Sequence, residues 1–136
     1  MNAIWPEKAP ILIAGCGNMA GAMLSRWLDT GLPSEAVTVV RPSGAPPVPG
    51  VRTTTRVPDD AAPRLLLLGV KPQKLDEVAA VVARAAGPDT LLLSILAGTG
   101  RAALRQLFPR AGAIVRAMPN LPVVAGRGAI ALHGHA

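Results

Sequence analysis

The sequence predicts an α/β fold in which a doubly wound, mostly parallel sheet carries helices on both faces. Short apolar segments of strand length alternate with longer segments whose apolar residues recur at helical spacing. The strand segments are apolar throughout, as expected for a sheet that is buried on both sides. A glycine-rich turn separates the first strand from the first helix. This alternation requires crossover connections, which favour parallel strands.

The first half of the predicted fold starts with an apolar run that ends at glycine. Strand one covers Ala9 to Ala14, an amphipathic helix follows from Met19 to Thr30, and the β-branched segment Val37 to Val40 is strand two. A proline- and glycine-rich surface loop, Pro42 to Gly50, leads to a short third strand within Val51 to Val57.

The second half continues the same alternation. Proline suits the first turn of a helix, because its missing N–H would have no partner there. The predicted elements are strand four at Arg64 to Val70, a helix from Pro72 to Gly87-Pro88, strand five at Thr90 to Leu96, a helix at Arg101 to Phe108, strand six at Ala113 to Arg116 and a seventh strand at Gly128 to Leu132.

Composition favours a single domain over residues 1–136 and excludes several classes of protein. No apolar run reaches the roughly 20 residues that a membrane span needs, and because residues 1–10 lack the features of a signal peptide we expect none. The lone cysteine, Cys16, cannot form an internal disulfide and fits a cytoplasmic setting. The net charge of +6 comes from scattered arginines without interleaved aromatic residues, so we expect no nucleic-acid partner.

The loop Gly15-Cys16-Gly17-Asn18-Met19-Ala20 matches the dinucleotide fingerprint of Rossmann-type domains, with alanine at its third small position. In such loops Gly15 permits the tight turn, Gly17 lets the backbone approach a pyrophosphate, and Ala20 keeps the helix close to the sheet. The alternative is a glycine-rich turn without a ligand. Cys16 could be a thiol activated by the helix N-terminus, although we favour a small filler because no histidine or acid is near it in sequence.

The end of strand two predicts which nicotinamide cofactor is bound. An acid about 20 residues after the glycines would bind the ribose 2′-hydroxyl of NAD, but this chain has Arg41 and Ser43 there. These side chains suit a 2′-phosphate, so we expect NADP(H), with NADH as a second cofactor. The alternative is a solvated Arg41. Arg56, after the third strand, is a second candidate for the phosphate.

Four blocks of sequence, in order, resemble pyrroline-5-carboxylate reductase, and they extend from about Pro10 to the end of the chain. They are Gly15-Cys16-Gly17-Asn18-Met19, Gly69-Val70-Lys71-Pro72-Gln73, Ser94-Ile95-Leu96-Ala97-Gly98 and Val115-Arg116-Ala117-Met118-Pro119-Asn120-Leu121-Pro122. The resemblance implies an N-terminal domain that binds NADPH or NADH. It also implies reduction of 1-pyrroline-5-carboxylate to L-proline, the last step of proline synthesis.

Carried over residue by residue, the resemblance implies contacts beyond the phosphate loop. Val70, Lys71 and Pro72 would lie along the cofactor, Ala97 and Gly98 near the nicotinamide ribose, and Pro119 and Asn120 at the border of nicotinamide and imino-acid substrate. All follow strand ends, where open α/β sheets bind ligands. The alternatives are a solvated lysine at Lys71 and simple turn residues at Gly98 and Asn120. We interpret His133 and His135 as tail residues and expect no metal site.

The sequence ends at Ala136. The pyrroline-5-carboxylate reductases that it resembles continue into a helical second domain, which supplies the dimer interface and much of the imino-acid site. We therefore expect cofactor binding with little or no turnover. We also expect self-association or a partner at an apolar surface near Val123, Val124, Ile130 and Leu132. Two alternatives are another reductase with the same cofactor fold, disfavoured by Pro119-Asn120, and a non-catalytic NADP-binding module. No side chain is an obvious general acid.

Overall fold

The computed structural model describes residues 10–118 and 131–135, which form one seven-stranded sheet with three α-helices. The strand order is β3-β2-β1-β4-β5-β6-β7. The strands are β1 Ile11–Ala14, β2 Val37–Val40, β3 Arg52–Thr54, β4 Leu65–Leu68, β5 Leu91–Ser94, β6 Ala113–Met118 and β7 Ala131–His135. The helices are α1 Asn18–Asp29, α2 Leu75–Val82 and α3 Arg101–Leu107.

The chain winds outward from the centre of the sheet twice. From β1 it moves to β2 and β3 on one side, then crosses to β4 and continues through β5 and β6 on the other side. Strands β1 to β6 pair in parallel, and β7 pairs with β6 in antiparallel orientation. The point at which the winding reverses lies between β1 and β4, and open α/β sheets bind ligands at such a switch point.

Alternate residues of the central strands contribute to two different apolar layers. Ile11 and Ile13 of β1 pack in the layer that includes Leu24 of α1. Leu12 and Ala14 pack in the opposite layer, under α2 and α3. Because β1 and β4 are covered on both faces, every position along them is apolar, which explains why these two strands show no polar alternation in sequence.

The structure confirms the predicted fold class and the order of elements. The third strand is shorter than the segment that contained it, and β6 extends two residues beyond the predicted Arg116 to Met118. The helix that opens at Pro72 begins with a 3-10 turn, Pro72–Lys74, before the α-helix starts at Leu75.

The interpretation of His133 and His135 as tail residues is wrong. Both lie in β7, where backbone pairing places His133 opposite Arg116 and His135 opposite Ile114. The predicted strand Gly128 to Leu132 overlaps β7 only at residues 131 and 132, and residues 128–130 lie outside the described part of the chain.

Within the described part, no helix combines the length and apolar character needed to cross a bilayer.

Thr90 joins three segments at the amino ends of the central strands. Its side chain is buried, its hydroxyl donates a hydrogen bond of 2.6 Å to the carbonyl of Pro63, and its oxygen accepts one of 3.1 Å from the Gly87 amide. The Thr90 carbonyl also accepts a bond of 3.0 Å from the amide of Gly112, just before β6. One buried hydroxyl thereby satisfies two backbone groups, of which the Pro63 carbonyl is buried and the Gly87 amide is partly buried.

Replacing Thr90 by valine should lower the free energy of unfolding by about 1–3 kcal/mol, because a buried carbonyl and a partly buried amide each lose a partner while the side-chain volume is retained. Thr53→Val is the control, since the Thr53 hydroxyl is half-buried and donates one bond of 3.2 Å to the Val51 carbonyl. Urea denaturation of both variants measures the change in the free energy of unfolding. An equal decrease in the two variants would show that the hydrogen bonds of the Thr90 hydroxyl stabilise the fold no more than the single bond of Thr53.

Candidate dinucleotide site

The loop after β1 passes within contact distance of the end of β4. Gly15 has a φ of +70°, a left-handed conformation that glycine adopts without strain, and its amide donates a 2.8 Å hydrogen bond to the Val40 carbonyl of β2. A side chain there would collide with the Val70 side chain. The Gly69 amide in turn donates a 2.9 Å bond to the Ala14 carbonyl. These contacts hold the loop between its two neighbouring strands.

Ala20 fills the third small position of the loop as predicted. It is buried, and a Cβ placed on Gly69 would lie 2.7 Å from the Cβ of Ala20 and 2.9 Å from the Gly15 carbonyl oxygen. The helix α1 can approach the end of β4 this closely only because residue 69 has no side chain. The sequence therefore uses small residues on both partners of the contact.

Gly17 differs from Gly15 and Gly69, because no contact within the described chain requires a glycine there. Its φ is −80°, and an added Cβ would meet only the Gly69 carbonyl oxygen at 3.8 Å, an ordinary contact distance. It is exposed and stands immediately before α1, whose first turn has no side-chain cap and no acidic residue. The free N–H groups and the helix dipole at this end favour an anion.

Cys16 is buried among the apolar residues beneath α1, with 8% of its surface exposed. Burial raises the pKa of the Cys16 thiol above its ordinary value, and the charge of Arg41 lowers it by a smaller amount. At neutral pH the residue is a thiol and not a thiolate, so it is a poor nucleophile. These features favour the small filler over the reactive thiol.

At the end of β2, Arg41 and Ser43 both bond to Ala45 in the loop that follows. Arg41 donates from Nη1 to the Ala45 carbonyl at 3.2 Å, and Ser43 Oγ accepts from the Ala45 amide at 3.2 Å. The Arg41 amide donates to the Thr54 carbonyl at 3.0 Å. The guanidinium lies beside the glycine loop, and its remaining N–H groups make no bond to the described residues.

Arg41 lines two adjoining clefts at the carboxyl end of the sheet. We call the first the α1 cleft, with a volume of about 480 Å³. It is lined by Cys16, Gly17, Asn18, Gly21, Ala22, Ser25, Arg41 and Pro47. The second, the α2 cleft, has a volume of about 400 Å³. It is lined by Ala14, Gly15, Val40, Arg41, Pro42, Thr55, Val70, Lys71, Lys74, Glu77, Val78, Val81 and Val82.

Most of the site residues predicted from sequence lie at this end of the sheet, but they do not all line a cleft. Val70 and Lys71 line the α2 cleft, and Pro72 opens the 3-10 turn beside it. Ser43 and Arg56 line neither cleft, although Ser43 shares Ala45 with Arg41. The Arg56 side chain is exposed, and its carbonyl accepts a 2.6 Å bond from Thr54 Oγ1.

The predicted nicotinamide end lies past β5 and β6. Ala97 and Gly98 are exposed in the loop after β5, and Gly98 has a φ of +80° with open space around it. The positive φ is itself a reason for glycine there, which agrees with a turn residue. Pro119 and Asn120 lie outside the described residues, as do Val123, Val124 and Ile130. Among residues 10–118 and 131–135, no three His, Cys, Asp or Glu side chains converge as metal ligands would.

Sequence reasoning missed the wall of the α2 cleft that is formed by α2 and by the last residue of the 3-10 turn before it. Its members are Lys74, Glu77, Val78, Val81 and Val82. Val81 is 50% exposed, the only large apolar side chain so exposed among the described residues. The sequence gives no separate signal for this wall. Val78 and Val82 follow Lys74 at helical spacing, but both valines also pack in the core, which explains their apolar character without a cleft.

Comparison with known proteins gives a consistent result. The sequence model of a family described as NADP oxidoreductase, coenzyme F420-dependent, matches residues 10–98. A pyrroline-5-carboxylate reductase of Synechocystis sp. is 39% identical over 127 residues, covering 88% of this chain and 47% of the relative. The chain spans about half the length of the curated relatives it matches.

Solved structures agree with the sequence comparison. A pyrroline-5-carboxylate reductase from Coxiella burnetii matches 95% of this chain and 50% of its own, with a TM-score of 0.82 and 25% identity. The pyrroline carboxylate reductase of Plasmodium falciparum, determined with NADP bound, shares the fold over 95% of this chain and 49% of its own, with a TM-score of 0.81 and 20% identity.

The resemblance drawn from the four sequence blocks is therefore confirmed, and the match over residues 10–98 covers more than half of the chain. The chain belongs to the family described as NADP oxidoreductase, coenzyme F420-dependent, and is similar to pyrroline-5-carboxylate reductases.

Proposed function

We propose that this chain is the NADPH-binding part of a pyrroline-5-carboxylate reductase. The observation that carries the proposal is Gly17, an exposed glycine that the fold does not require, at an uncapped helix start beside Arg41. A bound pyrophosphate explains both the missing side chain and the missing acid. The similarity to named pyrroline-5-carboxylate reductases supports this substrate over that of another reductase.

NADPH would occupy the two clefts on either side of the glycine loop. Gly15 to Ala20 would hold the pyrophosphate, and Arg41 with Ser43 would meet the 2′-phosphate. Val70 and Lys71 would border the adenosine in the α2 cleft, and Pro72 would fix the start of α2 beside it. Ala97 and Gly98 would approach the nicotinamide ribose, while Pro119 and Asn120 would border the ring and the substrate. Arg56 is retained as a second ligand of the 2′-phosphate.

The reaction reduces the C=N bond of the cyclic imino acid to L-proline, and bound NADPH supplies the hydride. Protonation of the ring nitrogen makes the neighbouring carbon electrophilic, so the substrate takes up one proton together with the hydride. In this chain we assign no side chain as the general acid. Its residues would hold the cofactor and orient it through the backbone of the glycine loop.

A further polypeptide surface would complete the site. Residues 90–136 contain five arginines and no Asp or Glu, so they carry nearly all of the net charge of +6. We infer that the apolar residues Val123, Val124, Ile130 and Leu132 contact a second domain or a second copy, and that the protein works in the cytoplasm.

Gly17→Val should abolish NADPH binding while leaving the unfolding midpoint close to that of the parent chain, because a side chain at residue 17 intrudes on the ligand and not on the protein. Gly15→Ala is the matched comparison, since it places a Cβ against Val70 at a φ of +70° and should destabilise the fold itself. Fluorescence titration with NADPH and thermal unfolding separate the two effects. Parental affinity in Gly17→Val would exclude the loop as the phosphate site.

Arg41→Asp should weaken NADPH binding by about 1–3 kcal/mol, because a charge-assisted hydrogen bond to the 2′-phosphate is replaced by repulsion. NADH binding should change much less, since its 2′-hydroxyl carries no charge. Isothermal titration calorimetry of both cofactors measures the difference. Equal affinity of the parent chain for NADPH and NADH would contradict the assignment of Arg41.

The 136-residue chain by itself should bind NADPH yet reduce pyrroline-5-carboxylate slowly or not at all. Hydride transfer needs the imine carbon about 3–3.5 Å from the nicotinamide, and such alignment supplies several kcal/mol of the barrier. Relatives of twice this length have further chain for that positioning. NADPH oxidation by the purified chain is the measurement. Turnover on the order of 10 per second would show that these residues suffice, whereas binding without turnover also fits a non-catalytic module.

A further inference from the structure

We propose that Lys74 and Glu77 form a charged pair that discriminates adenosine 2′-phosphate from plain adenosine at the mouth of the α2 cleft. The proposal rests on the proposed function, because it assigns the adenosine end of the cofactor to this cleft. It adds a determinant of cofactor choice at the start of α2 to those proposed after β2 and β3.

The α2 cleft is apolar in its depth and charged at its mouth. Val82, Val40 and Ala14 are buried at its base, and Val81 presents a half-exposed side chain from α2. The charged residues that line the cleft are Arg41, Lys71, Lys74 and Glu77, and the last three are exposed. A ligand that places a flat ring against the valines would bring its polar substituents to these charges.

Lys74 and Glu77 already contact each other in the absence of a ligand. Lys74 Nζ lies 3.7 Å from a carboxylate oxygen of Glu77, and the two side chains are 64% and 74% exposed. An ion pair this exposed contributes little to stability, so Lys74 can exchange its partner at low cost. A phosphate monoester carries a charge of roughly −1.5 to −2 at neutral pH, which makes it the stronger partner for an ammonium group.

The two residues act in opposite directions on a 2′-phosphate. Lys74 attracts the 2′-phosphate. Glu77, the one carboxylate among the described residues that line the cleft, repels the 2′-phosphate. A neutral 2′-hydroxyl interacts with neither charge strongly and leaves the pair intact. Lys74 and Glu77 therefore set the ratio of affinities for the two adenosines more than the affinity for adenosine itself.

Adenosine 2′,5′-bisphosphate and adenosine 5′-monophosphate are suitable probes, because they differ only in the 2′-phosphate. Lys74→Gln should weaken binding of the bisphosphate about threefold to tenfold, and Glu77→Gln should strengthen it about twofold to fivefold. Both variants should bind the monophosphate as the parent chain does. The double variant should bind the bisphosphate more tightly than Lys74→Gln alone, because it also loses the repulsion.

Asp59→Asn is the matched control. Asp59 also belongs to an exposed ion pair, 3.8 Å from Arg84, but it does not line the cleft, so its loss should leave the preference unchanged. The shifts for Lys74→Gln and Glu77→Gln should also shrink as salt is raised.

The outcomes distinguish a failure of this inference from a failure of the proposed function. If the parent chain binds the bisphosphate and Lys74→Gln binds it equally well, the pair has no role in discrimination and this inference is wrong. If the parent chain binds neither adenosine probe nor NADPH, the proposed function itself fails. Equal loss of both probes in Lys74→Gln would mean that Lys74 only shapes the cleft, which also overturns the inference.

Discussion

At the end of β4 the backbone of Gly69 leaves no room for a side chain, since a Cβ there would lie 2.7 Å from Ala20 and 2.9 Å from the Gly15 carbonyl oxygen. This close approach brings together the two loops that leave the sheet at its switch point. Hydrogen bonds from Gly15 to Val40 and from Gly69 to Ala14 fix the glycine loop against both neighbouring strands. The start of α1, the end of β2 and the start of α2 lie around this contact, so the shapes of both clefts depend on it.

The glycines of this region serve different purposes. Gly15 is required by its backbone conformation and Gly69 by packing, so the folded chain explains both without a ligand. Gly17 has neither reason. An exposed residue with ordinary φ and free space around it could carry almost any side chain if only folding mattered. The site is thus indicated by the glycine that the structure leaves unexplained, and the two explained glycines hold it in position.

The fold was largely predictable from sequence because its signals are local. An apolar strand, a glycine turn and an amphipathic helix each lie within a few residues, and they specify β1, the loop and α1 together. The limits of the third strand were harder to predict, since its three residues are in a strand because they pair with β2 and not because of their own composition. His133 and His135 were misplaced for the same reason: only antiparallel pairing with β6 identifies their segment as a strand.

The lining of the two clefts was predictable where its residues come soon after a strand, as Gly15, Arg41 and Lys71 do. The far wall of the α2 cleft was not, because Lys74 and Val81 come to line the same cleft as Arg41 only after the chain has formed β3 and crossed the sheet. These residues are far apart in sequence, so the sequence does not show that they line one cleft. Their proximity nevertheless determines the chemistry of the cleft, because valines from α2 face the apolar ends of β1 and β2 and cations from both walls surround the opening. A dinucleotide whose phosphates lie at the glycine loop would have its adenosine in this cleft, so the same switch point that positions the pyrophosphate also determines which charges can sense the 2′ position.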